Sequence, residues 1–151
     1  MSTTPQGYHT VTPSLTVRDA AAALDFYTRA LGAGLLFSMP DPAGKVMHAE
    51  FQIGDSRLMI SDEYPDYGAC APEIGKGGLF MIYVPDVDAA FAQAIAAGAT
   101  STQDPTDMFW GDRTARVSDP FGYRWTLAAH VRDVSPEEME AAAKDWADSN
   151  S

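Results

Sequence analysis

His48, Glu50 and Gln52 alternate with Met47, Ala49, Phe51 and Ile53. On a strand, side chains two apart project to one face, so this segment sets an imidazole, a carboxylate and an amide in a row. Imidazole and carboxylate at that spacing can act as acid and base on one small molecule. His48 and Glu50 are therefore the candidate catalytic pair and Gln52 a candidate ligand contact, although the same alternation also describes a strand face turned to water. A divalent ion held by His48, Glu50 and Asp62 is the other chemistry these residue types allow, but no ligand-spacing motif accompanies them. Further on, Trp110, Asp112 and Arg113 offer an aromatic face and a guanidinium fork for a planar or charged ligand, or an ion pair that closes a loop.

Several chemistries are argued against. The single cysteine, Cys70, has no internal disulfide partner and no histidine in its segment to activate it. With one cysteine nothing points to an oxidising compartment, so a cytoplasmic protein is expected. No glycine-rich phosphate loop, nucleophile elbow or methyl-donor stretch follows a strand pattern. Ten basic residues stand against 21 acidic ones, a net charge of −11, which disfavours a nucleic-acid partner. The longest apolar run, Leu79 to Val84, falls well below a membrane span, and the first dozen residues lack the pattern of a signal peptide. The 151 residues, 46% hydrophobic and 21% charged, suit a globular domain with its own core.

The elements that must position these residues recur. Val17-Arg18-Asp19-Ala20 is echoed by Val84-Pro85-Asp86-Val87, and Leu31-Gly32-Ala33 by Ala97-Gly98-Ala99, with Asp19 and Asp86 separated by 67 positions. In the first half, Thr10, Thr12, Ser14 and Thr16 alternate with Val11, Pro13, Leu15 and Val17 as a half-buried strand does. Asp19 then caps a helix carrying Leu24, Tyr27 and Leu31, which Gly32 ends. Asp86, Phe91, Ile95 and Gly98 repeat the pattern, and two or three short strands follow each helix. Residues 64–78 read as a linking loop and 101–113 as a polar loop, a candidate lid. Ser135-Pro136-Glu137-Glu138 opens a last helix, about 136–147, whose Met139, Ala143 and Trp146 dock on this domain or on a partner.

Duplicated units with the phrases Val17-Arg18-Asp19-Ala20, Phe26-Tyr27, Leu31-Gly32-Ala33 and Asp119-Pro120-Phe121-Gly122 resemble the vicinal oxygen chelate superfamily of glyoxalases, bleomycin-resistance proteins and extradiol dioxygenases. The stretches 7–13, 108–113 and 130–139 look more narrowly like its PhnB-like branch. The resemblance implies an α+β fold: one domain over 1–151 in which two tandem βαβββ repeats, about 8–63 and 78–130, form a curved, cup-like sheet with helices outside, commonly in a homodimer. It also implies a cup lined by Thr12, Leu79, Met81, Tyr83, Arg124 and Thr126 and, in metal-using relatives, a divalent ion gripped by a His or Gln in each first strand and a Glu in each last strand. Here the matching places are Thr12, Leu79, Thr126 and either Leu58 or Ile60, which lack the lone pairs such a site needs. Tyr123 stands where the branch's pattern usually has His. The expectation is a protein that binds a small hydrophobic or aromatic metabolite without a metal cofactor. The alternative is a lyase, isomerase or dioxygenase of the same superfamily, using a divalent ion or, free of metal, His48 and Glu50.

Overall fold

The computed structural model describes residues 2–151. Its elements run β1 Ser14–Val17, α1 Ala20–Leu31, β2 Gly34–Pro40, β3 Val46–Ile53 and β4 Ser56–Asp62, then β5 Leu79–Tyr83, α2 Val87–Ala97, β6 Thr100–Asp107, β7 Asp112–Ser118 and β8 Arg124–His130, and last α3 Pro136–Ser149. Both internal helices start and stop by one device. Asp19 and Asp86 are extended (φ −146° and −142°), and their carboxylates accept the N–H of Ala22 and Ala89 at 3.0 Å. Gly32 and Gly98 end them with φ of +68° and +118°, a region open to glycine at little steric cost.

The two βαβββ units build two four-stranded sheets, ordered β1-β4-β3-β2 and β5-β8-β7-β6, with β1/β4 and β5/β8 parallel and the other pairs antiparallel. Each sheet buries one face under a helix. In the first half Leu15, Val17, Ala49, Phe51, Leu58 and Ile60 close on Ala23, Phe26, Tyr27 and Ala30 of α1, each large apolar side chain contributing about 1.5–3 kcal/mol when fully buried. Tyr27 stacks on Phe51 at 5.7 Å and meets Trp125 edge-on at 5.4 Å, so the first helix also packs on the second sheet's core face. Beneath these rings lies Asp119, 2% exposed, whose carboxylate accepts from Tyr27 Oη (2.6 Å), Trp125 Nε1 (2.8 Å) and the N–H groups of Phe121 and Tyr123. Burial, reinforced by Asp119, pushes the Tyr27 hydroxyl far above the ordinary tyrosine range.

Three expectations are corrected. The first strand begins at Ser14, not Thr10. Segment 101–113 is not a lid: it is strand β6, a turn over 108–111 and the start of β7. β6 is an exposed edge strand with register shifts between Ser101 and Thr106, so it lacks the buried, strictly alternating face that marks a strand in sequence. Leu58 and Ile60 face the helix, while Met59, opposite both Ser14 and Glu50, faces the open side. Among the described residues no helix is long and apolar enough to cross a membrane.

Candidate functional site on the open sheet faces

The faces turned away from the helices carry the polar side chains, half-exposed on the first sheet, while on the second Asp112, Thr114, Thr126 and Ala128 are buried. On the first sheet, register sets Met39 beside His48 and Phe37 beside Glu50. His48 Nε2 lies 3.2 Å from Glu50 Oε2, and Tyr8, on the segment before β1, donates its hydroxyl to Glu50 Oε1. Arg57 lies across the Tyr8 ring, 5.5 Å from its centroid. The expected row therefore exists, with Glu50 held at both oxygens, an arrangement able to pass a proton between imidazole, carboxylate and phenol.

Of the residues expected there, one lies elsewhere and one is turned to another partner. Asp62 is 7% exposed on the helix side, where its carboxylate accepts the N–H of Ala20 at 2.8 Å and of Val46 at 2.7 Å. It anchors the start of α1 to β3 and cannot join His48 and Glu50 on one ion. Gln52 shares their face, but its amide turns back to donate to the Gly54 carbonyl at 2.8 Å.

On the second sheet Leu79, Met81 and Tyr83 of β5 stand beside Arg124, Thr126 and Ala128 of β8, as expected. Thr126 in turn faces Arg116 of β7, whose Nε donates to Thr126 Oγ1 at 3.4 Å. At the end of this face His130 Nδ1 meets Asp112 at 2.9 Å and Nε2 meets Asp133 at 2.7 Å. Two carboxylates can be served at once only by the imidazolium, and Asp133, then Asp112, hold the His130 pKa above its usual value.

Arg113 does not reach this face. Arg113 points to the helix side and forks onto Asp88 of α2 (2.8 and 2.9 Å) and onto Asp107 (3.0 Å). The hydrogen bonds to these two carboxylates, Asp88 first, raise the guanidinium pKa, and Arg113 in turn holds Asp88 below the usual carboxylate range. Of the alternatives posed by the sequence, Arg113 is the ion pair. Trp110 meets Phe109 edge-on at 4.9 Å, and Phe109 lies 6.4 Å from Trp146 of α3. Thr12 precedes β1 and donates its hydroxyl to the His9 carbonyl at 3.2 Å.

The four places the resemblance implies for an ion fall at Thr12, Leu79 and Thr126, with Met59 in place of Leu58 or Ile60, and these residues do not fit one. Leu79 offers no lone pair, Met59 a soft thioether, and Thr126 Oγ1 already takes a hydrogen bond from a cation, Arg116. Hard divalent ions take oxygen ligands, preferably charged.

Between the β3–β4 hairpin and β5 lies a cleft of about 700 Å³, lined among others by Val11, Arg57, Phe80, Met81, Tyr83 and Trp125. Met81 and Tyr83 are 51% and 66% exposed. Sequence reasoning missed Tyr8, Arg116 and Asp119. Arg116 could have been found, since β7 alternates Thr114, Arg116 and Ser118 with the buried Ala115 and Val117; nothing local marks Tyr8 as Glu50's partner.

Comparison with known proteins places this arrangement. The family model for the glyoxalase/bleomycin resistance protein/dioxygenase superfamily matches residues 8–127. An uncharacterized protein of Mycobacterium bovis is 39% identical over 143 residues, covering 91% of this chain and 94% of its own. Among solved structures, TioX from a Micromonospora species superposes with a TM-score of 0.66 at 30% identity, over 80% of this chain and 98% of its own. A glyoxalase/bleomycin resistance protein/dioxygenase from Nocardioides, at 22% identity and 90% coverage of both chains, shares the fold with a TM-score of 0.65. With a match that runs through both βαβββ units, the chain belongs to the glyoxalase/bleomycin resistance protein/dioxygenase superfamily.

Proposed function

We propose that this protein binds a small apolar or aromatic metabolite, without a metal at the four places the resemblance implies. The observation that carries the reading is the cleft along β5: its volume of about 700 Å³ falls in the range that accommodates small ligands. Large apolar side chains left exposed in a row on an ordered strand mark a surface that another molecule covers. In the same reading a second copy covers Leu35, Phe37 and Met39 of β2, each more than 40% exposed, to give a homodimer.

The test is native mass spectrometry of the purified protein, followed by fluorescence titration with the aromatic compounds that co-purify. The expected result is a bound organic molecule whose affinity falls at least tenfold in Met81→Arg, which sets a charge among the apolar walls. A bare chain that binds no member of an aromatic panel would overturn the reading, and stoichiometric nickel, zinc, manganese or iron would overturn its metal-free part. The geometry of His48 and Glu50, 3.2 Å apart, favours a second reading as a metal-free lyase or isomerase. That reading fails if His48→Gln with Glu50→Gln leaves every turnover found in a substrate screen unchanged.

A further inference from the structure

Four arginines sit on the strands, and the two sides of the sheets treat them differently. Arg113, on the helix side, is neutralised by Asp88 and Asp107. Arg57, Arg116 and Arg124, on the open faces, have no carboxylate within 4 Å among the described residues, in a chain with twice as many acids as bases. Arg57 covers Tyr8 and reaches the Gln6 carbonyl at 3.4 Å, and Arg124 donates to the Gly77 carbonyl at 3.2 Å. Arg116 differs from both. Its one side-chain hydrogen bond is from Nε to Thr126 Oγ1, at 3.4 Å, which leaves the terminal nitrogens with no protein acceptor and the Thr126 hydroxyl proton free to donate.

The acids near Arg116 are engaged elsewhere. Asp112 holds His130, Asp107 holds Arg113, Asp104 accepts from Ser101 at 2.7 Å, and Asp119 is buried under Tyr27 and Trp125. Arg116, Thr126 and Met81 form one cross-strand row over β7, β8 and β5; Met81, at its end, lines the cleft, while Arg116 and the buried Thr126 lie beyond the cleft's own lining. Two strand spacings put the two ends of that row about 10 Å apart, within the reach of one small organic molecule.

We infer that the metabolite is an organic acid, its apolar or aromatic body in the cleft beside Met81 and Tyr83 and its oxyanion on the fork of Arg116 and the hydroxyl of Thr126. The inference rests on the proposed apolar cleft and adds the charge of its occupant. A guanidinium matches a carboxylate or similar oxyanion through two parallel hydrogen bonds. The surplus of eleven negative charges repels anions elsewhere on the surface, so a preference for an anionic ligand reports a local cation.

The test compares two fluorescent probes that differ by one sulfonate, 1-anilinonaphthalene-8-sulfonate and the uncharged N-phenyl-1-naphthylamine. The wild-type chain is expected to bind the sulfonate at least about tenfold more tightly. Arg116→Gln should remove that preference while leaving the neutral probe within about twofold, and Arg116→Lys should restore part of it. Independently of any variant, 2-naphthoate should displace the neutral probe from the wild-type chain at concentrations at least about fivefold lower than 2-naphthamide does. Binding of the neutral probe with no preference for either anion, or a preference removed by Arg57→Gln and kept in Arg116→Gln, would overturn the inference and leave the apolar cleft standing. Failure of both probes to bind would overturn the cleft reading itself.

Discussion

Tyr123, just before β8, joins the two halves through Thr16 of β1: its hydroxyl accepts the Thr16 N–H at 3.0 Å and donates to the Thr16 carbonyl at 3.1 Å. One side chain thus satisfies both backbone groups of a residue on the outer strand of the first sheet. The position works as a strut between the two halves. Tyr123→Phe keeps the ring and strands both backbone groups, at a cost of about 1–3 kcal/mol. Urea denaturation is expected to show a lower midpoint with little change in slope.

Asp119 is a larger dependency. Asp119→Ala leaves Tyr27 Oη, Trp125 Nε1 and two backbone N–H groups facing a space with no acceptor. A loss above about 3 kcal/mol follows from summed unsatisfied donors, measured as a large fall in thermal midpoint or as loss of soluble protein.

Tyr27 ties stability to alkaline pH. Its folded pKa is raised, chiefly by burial and then by Asp119, so the folded state keeps the proton. That contribution is complete below the unfolded tyrosine value of about 10 and is lost as pH rises beyond it. Denaturation midpoints measured from pH 8 to 11 should therefore fall with pH, and fall less steeply in Tyr27→Phe.

His130 gives a site-specific titration. With its pKa raised by Asp133 and Asp112, the stabilisation it supplies is complete below the unfolded histidine value of about 6.5 and disappears as pH climbs through the folded value. In an NMR titration the His130 ring should titrate above the ordinary histidine value, with Asp133→Asn lowering its midpoint and Asp112→Asn doing so as well. A His130 midpoint at or below the ordinary histidine value, unmoved by either substitution, would contradict this.

Arg113 separates structure from binding. Because it faces α2 and the cleft lies along β5, Arg113→Gln should lower the melting temperature and leave probe affinity within about twofold, as distant sites act independently. An affinity loss as large as that of Met81→Arg would return Arg113 to the ligand site.

The repeat was legible because its marks are local. An aspartate accepting an N–H three residues on and a glycine with positive φ need only the adjacent chain, so Asp19, Asp86, Gly32 and Gly98 could be read directly. The row of His48, Glu50 and Gln52 was legible for the same reason, strand alternation. The missed features depend on what lies across a strand. Leu58 and Ile60 were set on the wrong face because a shift of one residue inverts a strand of period two. β6 looked like a loop because an edge strand exposed on most positions needs no apolar alternation. Tyr8 meets Glu50 across 42 positions of sequence, a pairing that only the folded chain brings about.

The outer strand β2 has consequences for handling. All seven of its residues are exposed, Leu35, Leu36, Phe37 and Met39 among them, and one side of its backbone has no neighbouring strand. At neutral pH mutual repulsion between highly anionic molecules opposes indiscriminate strand addition there. Acidification toward the isoelectric point of about 4.4 removes that repulsion, so turbidity should peak near that pH and diminish when Phe37 is replaced by lysine.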